Sequence, residues 1–82
     1  MAVVKFFASL RETLDCAEIE IDLPENASVE DLITLLSNKN PNWHAAIQAN
    51  DVLIAVNQTV CGKDTLIRNS DEIAFFPPVT GG

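Results

Sequence analysis

The residues with the plainest chemical use are the last two, Gly81 and Gly82, which follow Phe76-Pro77-Pro78-Val79-Thr80. Consecutive prolines cannot continue a sheet ladder and favour a stiff, extended chain. Glycines after them bring no Cβ and few steric limits. A tail of Val79, Thr80, Gly81 and Gly82 beyond the prolines is thin enough to thread a narrow channel and present its carboxylate to another protein's active site. Flexible glycine ends are also ordinary frayed termini, so the chemistry must supply the case. A carboxylate resists nucleophilic attack because both oxygens share its charge. Adenylation by ATP replaces one oxygen by a phosphate leaving group. A sulfur donor then displaces AMP and leaves a thiocarboxylate, whereas an amine gives an amide.

The chain carries no machinery for that activation. It has no G-x-x-x-x-G-K-[ST] loop and no G-x-G-x-x-G turn, and no Ser/His/Asp or Cys/His constellation. ATP would therefore be consumed by a separate activating enzyme, and no cofactor is expected on this chain. Cys16 and Cys61 form no C-x-x-C pair. With His44 the only histidine, a Cys/His metal site lacks ligands, and no metal is expected. Both cysteines read as packing or turn residues, reduced in a cytoplasmic chain. The glycosylation triplets Asn26-Ala27-Ser28 and Asn57-Gln58-Thr59 have no consequence without secretion.

With 82 residues, the chain is the size of one domain. A domain this small buries only roughly 60% of its unfolded surface, so a deep private active site is hard to build. Its 48% hydrophobic content argues against a disordered acidic tail. No apolar run approaches the roughly 18 residues of a membrane span, and the start lacks signal-peptide features. A cytoplasmic location is the expectation. The net charge of −7 repels phosphate backbones and anionic lipid, against nucleic-acid and membrane partners. It suits a basic protein partner, although solvation alone also accounts for it.

Several elements must position the tail. Ala2 to Leu10, rich in Val and Phe, predicts a strand with Val4, Phe6 and Ala8 on one face and Val3, Lys5 and Phe7 on the other. Glu18 to Leu23 alternates strictly, with Ile19, Ile21 and Leu23 inward. Arg11 to Ala17 would join these strands as a hairpin. Ser28 with Asp31 forms a variant capping box, and Val29, Leu32, Ile33 and Leu36 trace a buried helical face. Pro41 ends that helix, and Trp43 to Gln48 predicts a short helical turn with Trp43 as a core plug. Asp51 to Val56 reads as a strand, Asn57-Gln58 as a turn into Thr59-Val60, and Glu72 to Phe76 as the last strand. Leu66 and Ile67 are the expected anchors between them. The order implies an α+β fold, a mixed sheet with one main helix across one face.

Two aromatic doublets, Phe6-Phe7 and Phe75-Phe76, are informative because a strand sends neighbouring side chains to opposite faces. The Lys5 and Glu72 parities put Phe6 and Phe75 in the core. If the first and last strands are neighbours, Phe7 and Phe76, joined by Val60, form an exposed apolar patch, which usually marks an interaction surface. A loop or the Pro-Pro segment folding over it is the alternative.

Phe6-Phe7-Ala8-Ser9-Leu10-Arg11-Glu12, Val56-Asn57-Gln58-Thr59 and the closing run from Asp71 to Gly82 resemble the family of small, sulfur-carrying subunits of molybdopterin synthase. The resemblance covers essentially the whole chain. It implies the ubiquitin-like β-grasp fold, with a domain over 1–76 and an extended tail over 77–82. It implies that Gly82 is adenylated by an adenylyltransferase related to ubiquitin-activating enzymes, then thiolated by a sulfur donor protein. The tail would enter the large synthase subunit and give sulfur to a cyclic pterin phosphate precursor, within a heterotetramer. Phe7, Arg11, Val60, Phe76, Pro77 and Pro78 would contact partners, and acid/base groups would lie on the large subunit.

The chain departs from that pattern at Asn69-Ser70, where Asp-Gly is usual, and a strained left-handed Asn69 is expected. A glycine often found after the Arg-Glu pair is replaced by a loop with Asp15 and Cys16. Cys61-Gly62 also varies, and Cys61 is given no sulfur-relay role. Rival readings are a carrier for thiamine synthesis, a modifier that ends in an isopeptide bond, and an interaction domain with an idle tail.

Overall fold

The opening strand is shorter than its Val and Phe content predicts. In the computed structural model, which describes residues 1–48 and 52–77, β1 spans Ala2–Phe6 and a helix, α1, spans Ala8–Leu14. This corrects both the strand expected through Leu10 and the plain hairpin link over Arg11 to Ala17. Ala8 to Leu14 is rich in helix formers, and Leu10 and Leu14, four residues apart, bury one face. Ala8 enters α1 with a left-handed φ of 54°. Asp15 leaves it at φ 52°, its N–H reaching the Glu12 carbonyl at 3.2 Å while the Cys16 N–H reaches Arg11 at 3.2 Å. That double return is a Schellman-type end, and its left-handed position is the one glycine fills most cheaply.

β2 (Glu18–Ile21) pairs antiparallel with β1, Ala2 opposite Ile21 and Lys5 opposite Glu18. Its alternation holds: Glu18 and Glu20 are exposed, while Ile21 and the following Leu23 are buried. α2 (Val29–Lys39) begins with the expected box. The Ser28 Oγ accepts the Asp31 N–H at 3.1 Å, and the Asp31 carboxylate accepts the Ser28 N–H at 2.9 Å. The Val29 and Glu30 N–H groups donate to the carbonyls of Thr65 and Lys63, both at 2.9 Å. The helix start is thus satisfied partly by itself and partly by a distant segment.

A 3-10 turn (Pro41–Trp43) and α3 (His44–Ile47) come next. Trp43 meets Phe6 edge-on with centroids 5.3 Å apart, the expected plug, and Phe6 stacks on Phe75 at 5.8 Å. β3 (Leu53–Val56) and β4 (Thr59–Cys61) make a hairpin. Asp51, where that strand was expected to begin, lies outside the described residues. Asn57 and Gln58 have φ of 49° and 71°, the signs a two-residue hairpin turn of the primed kind requires. The Asn57 carboxamide donates to Asp71 at 2.9 Å and accepts the Glu72 N–H at 3.0 Å, pinning the turn to β5 (Glu72–Phe76).

Two expectations about the segment before β5 are corrected. Ile67 anchors it at 2% exposure, but Leu66 is 65% exposed, because the chain runs extended there and the two side chains point apart. Asn69 and Ser70 are not left-handed, so the expected strain is absent. The turn closes instead through the Asp71 N–H on the Arg68 carbonyl, with the Asp71 carboxylate accepting the Arg68 N–H.

The strand order is β2-β1-β5-β3-β4, with β1 and β5 parallel and the other neighbours antiparallel. α2 packs Val29, Leu32, Ile33 and Leu36 with Val4, Phe6, Ile73 and Phe75 in one core. This is an α+β, ubiquitin-like β-grasp fold. No helix among the described residues is long and apolar enough to cross a membrane.

Two substitutions should move stability in opposite directions. Ser28→Ala should lower it by about 1 kcal/mol by removing the cap. Asp15→Gly should raise it by up to about 1 kcal/mol by relieving the left-handed residue. Urea unfolding followed by circular dichroism reads both.

Candidate functional site

Strand parity builds a second surface on the face of the sheet away from α2. Phe6 stands opposite Phe75, and the Phe7 N–H donates to the Phe75 carbonyl at 3.1 Å, which carries the parallel register one residue beyond β1. Phe7 therefore falls beside Phe76, and Phe76 is opposite Leu53 on β3. In the neighbouring row Lys5 is opposite Ala74, Ala74 opposite Ala55, and Ala55 opposite Val60. The result is an apolar patch across four strands, formed by Phe7, Phe76, Leu53, Ala74 and Val60 around a buried Ala55.

Phe7 is 45% exposed and Val60 64% exposed, so no described loop covers the patch. Phe76 and Leu53 are half-buried beside them. Lys5 and Glu72 mark its polar border with an ion pair of 3.7 Å. Both ends of that pair are well exposed, so it contributes little stability. Beyond it, Glu18 and Glu20 make the β2 side acidic. The face is therefore graded, apolar towards β3 and β4 and negative towards β2.

The structure brings together Phe7, Phe76 and Val60 as the sequence indicated. Leu53 and Ala55 were missed, because an unbroken apolar run on β3 does not say which residues face out until its pairing is known. Arg11 is exposed on α1, its N–H on the Phe7 carbonyl at 3.4 Å, and makes no ion pair among the described residues. Pro77, half-buried, comes directly after β5 at this end of the sheet. The tail positions Pro78, Val79, Thr80, Gly81 and Gly82 lie outside the described residues.

The remaining candidates form no reactive cluster among the described residues. The Cys16 thiol donates to the Glu18 carbonyl at 3.4 Å, and Cys61 packs against the core; both are free thiols. His44 Nδ1 lies 3.1 Å from Ser37 Oγ at the surface. No group of three potential metal ligands occurs there either. The geometry offers an apolar face at the end of the sheet where β5 stops.

Residues 4–82 match the ThiS family. The molybdopterin synthase sulfur carrier subunit of Haemophilus influenzae is 39% identical over 82 residues, covering all of both chains. That of Escherichia coli is 40% identical over 84 residues, again covering both completely. Among solved structures, the putative molybdopterin converting factor subunit 1 of Pyrococcus furiosus is 33% identical with a TM-score of 0.76, covering 95% of this chain and 97% of its own. Small archaeal modifier protein 1 of Methanosarcina acetivorans is 31% identical with a TM-score of 0.77, covering 99% and 95%. A Helicobacter pylori complex of molybdopterin-converting factor subunits 1 and 2 contains a chain of the same fold, 24% identical with a TM-score of 0.68, covering 99% and 97%.

The two-faced sheet predicts unequal costs for adjacent phenylalanines. Phe6→Ala should lose about 3–5 kcal/mol of stability through the cavity it leaves. Phe7→Ser, on the exposed face, should change it by less than about 1 kcal/mol. Equal losses in denaturant titrations would refute the division of faces.

Proposed function

The chain belongs to the ThiS family, and on that premise we propose that it is the sulfur carrier subunit of a molybdopterin synthase, delivering sulfur from its terminal carbonyl. Residues 1–76 are the docking body and 77–82 the delivery tail. An adenylyltransferase joins the Gly82 carboxylate to AMP and releases pyrophosphate. Sulfur from a donor protein attacks the carbonyl carbon, the bond to AMP breaks, and a thiocarboxylate remains. In the synthase that sulfur bonds to a carbon of the pterin precursor, the C–O bond at that carbon breaks and its oxygen leaves, and water cleaves the resulting thioester, leaving the sulfur on the pterin and the Gly82 carbonyl as a carboxylate. A dithiolene needs two sulfurs, so the spent carrier is exchanged or reloaded.

The observation that carries this reading is the row Phe7–Phe76–Leu53 at the end of the sheet where β5 stops. A partner covering that row is placed to receive the chain beyond Pro77. Burying exposed aromatics beside an acidic flank suits an apolar pocket with a basic rim. That partner is the large synthase subunit, two of each chain forming a heterotetramer in the cytoplasm, with the acid/base groups and pterin pocket on the large subunit. Arg11, Val60 and Pro77 border the contact, and Pro78, Val79, Thr80 and Gly81 form the stalk. The full-length likeness to carrier subunits supports sulfur rather than amine as the nucleophile.

The 31% likeness to an archaeal modifier protein favours one second reading, in which lysine attacks the adenylate and an isopeptide bond results. Higher-mass conjugates that vanish on deletion of Gly82 would mark it.

Intact mass of protein from cells should show an oxygen-to-sulfur exchange localised to Gly82. One residue added after Gly82 should abolish molybdopterin formation and leave circular dichroism unchanged; normal product formation by that variant would overturn the proposal. Val60→Asp should weaken binding to the large subunit by tenfold or more, about 1.4 kcal/mol, without loss of fold.

A further inference from the structure

On the face of the sheet away from α2, the apolar residues sit off centre. Phe7, Phe76 and Leu53 form one row, and Ala74 and Val60 lie in the next, so the patch reaches from β1 to the β4 edge. The exposed Glu18 and Glu20 stand at the other edge, on β2. Phe7 and Val60 are largely in water, and uncovered apolar area of this kind marks an interaction surface. A face graded in this way is complementary to itself in one orientation.

Two identical sheet faces close on each other about a two-fold axis. With the axis running across the strands, β2 of one copy lies over β2 of the other. Their glutamates then face each other over the roughly 10 Å between packed sheets, about one Debye length at 0.1 M salt, so the repulsion persists. With the axis running along the strands, between β5 and β3, each β5 lies over the second copy's β3 and each β1 over its β4. Phe76 of one copy then meets Leu53 of the other, and Phe7 approaches the Val60 edge. Each β2 falls outside the overlap, about 12 Å from the axis at about 4.8 Å per strand, which holds the acidic edges about 24 Å apart. We propose that the free chain forms a two-fold homodimer through this face, with the axis along the strands.

The contact is small, roughly 15 Å wide and two side-chain rows deep. That is well below the roughly 800 Å² that each chain buries in a stable complex, so the dissociation constant falls at about 0.1–1 mM. A dimer this weak shields the apolar row in the free chain and yields to any partner that buries the row more completely. The inference uses only the face and its charges, and so stands apart from the sulfur-carrier reading.

The test is sedimentation velocity of the full chain from about 10 μM to about 2 mM, at low salt and at about 0.5 M NaCl. Monomer should pass to dimer, and the higher salt should lower the dissociation constant about threefold or more by screening the charge of −7 on each copy. Over the same range, amide shifts of the 15N-labelled chain should move at Phe7, Leu53, Val60, Ala74 and Phe76, while those from Glu18 to Ile21 stay in place. Val60→Asp and Phe7→Ser should each weaken the dimer by about fivefold or more and keep dispersed, folded spectra. Thr34→Asp, which adds the same charge at an exposed position on α2, should weaken it by less than about twofold. A monomer at the highest concentration in both salts, shifts centred on β2, or equal effects of Val60→Asp and Thr34→Asp would overturn the proposal. So would shifts of the same face that follow deletion of residues 78–82 and ignore concentration, since they would assign the face to the chain's own tail.

Discussion

β1 and β5 lie side by side at the centre of the sheet and run parallel, with Phe6 opposite Phe75. Chain ends that are far apart in sequence thereby share one ladder, and each aromatic doublet is split between two faces by the pleat. Phe6 and Phe75 stack beneath α2, with Trp43 edge-on against Phe6. Phe7 and Phe76 are forced outward by the same geometry. Core and docking face are thus two consequences of one register, and a slip of one residue would exchange them.

That register is held from both sides. Each outer hairpin adds an antiparallel neighbour, β2 to β1 and β4 through β3 to β5. The Asn57 carboxamide ties the second hairpin to the first residue of β5 and its predecessor. The segment from Lys63 to Ile67 closes the helix side by accepting the first N–H groups of α2 and pairing with Ala27. These polar contacts contribute little each, but they determine where the chain enters β5 and hence where it leaves.

The division of labour suits a carrier. Stability resides in aliphatic and aromatic side chains on the α2 face, with no polar or charged residue buried among those described. The other face is free for the proposed recognition, since its residues can vary in character without emptying the core. Delivery of an activated carbonyl then needs only a tail leaving at the edge of that face. Under the proposed reading, a domain too small for a deep pocket of its own works this way, with its partners supplying the enclosed chemistry.

The sequence by itself determined the strands with clean alternation, the capped helix, the hairpin turn at Asn57-Gln58 and the aromatic doublets. Each of these rests on local spacing or local backbone preference. It also carried the family resemblance, on which the proposed chemistry of Gly81-Gly82 rests. It misjudged Ala8 to Leu14, where a Val- and Phe-rich start masked a short helix that packs near α3 and β5 and buries its two leucines in the common core. It misjudged Leu66 too, since adjacent apolar residues do not disclose which one faces the core. Leu53 joined the outer apolar face only when β3 paired with β5. The tertiary structure decided these points because facing, unlike periodicity, depends on which distant strand or helix lies alongside.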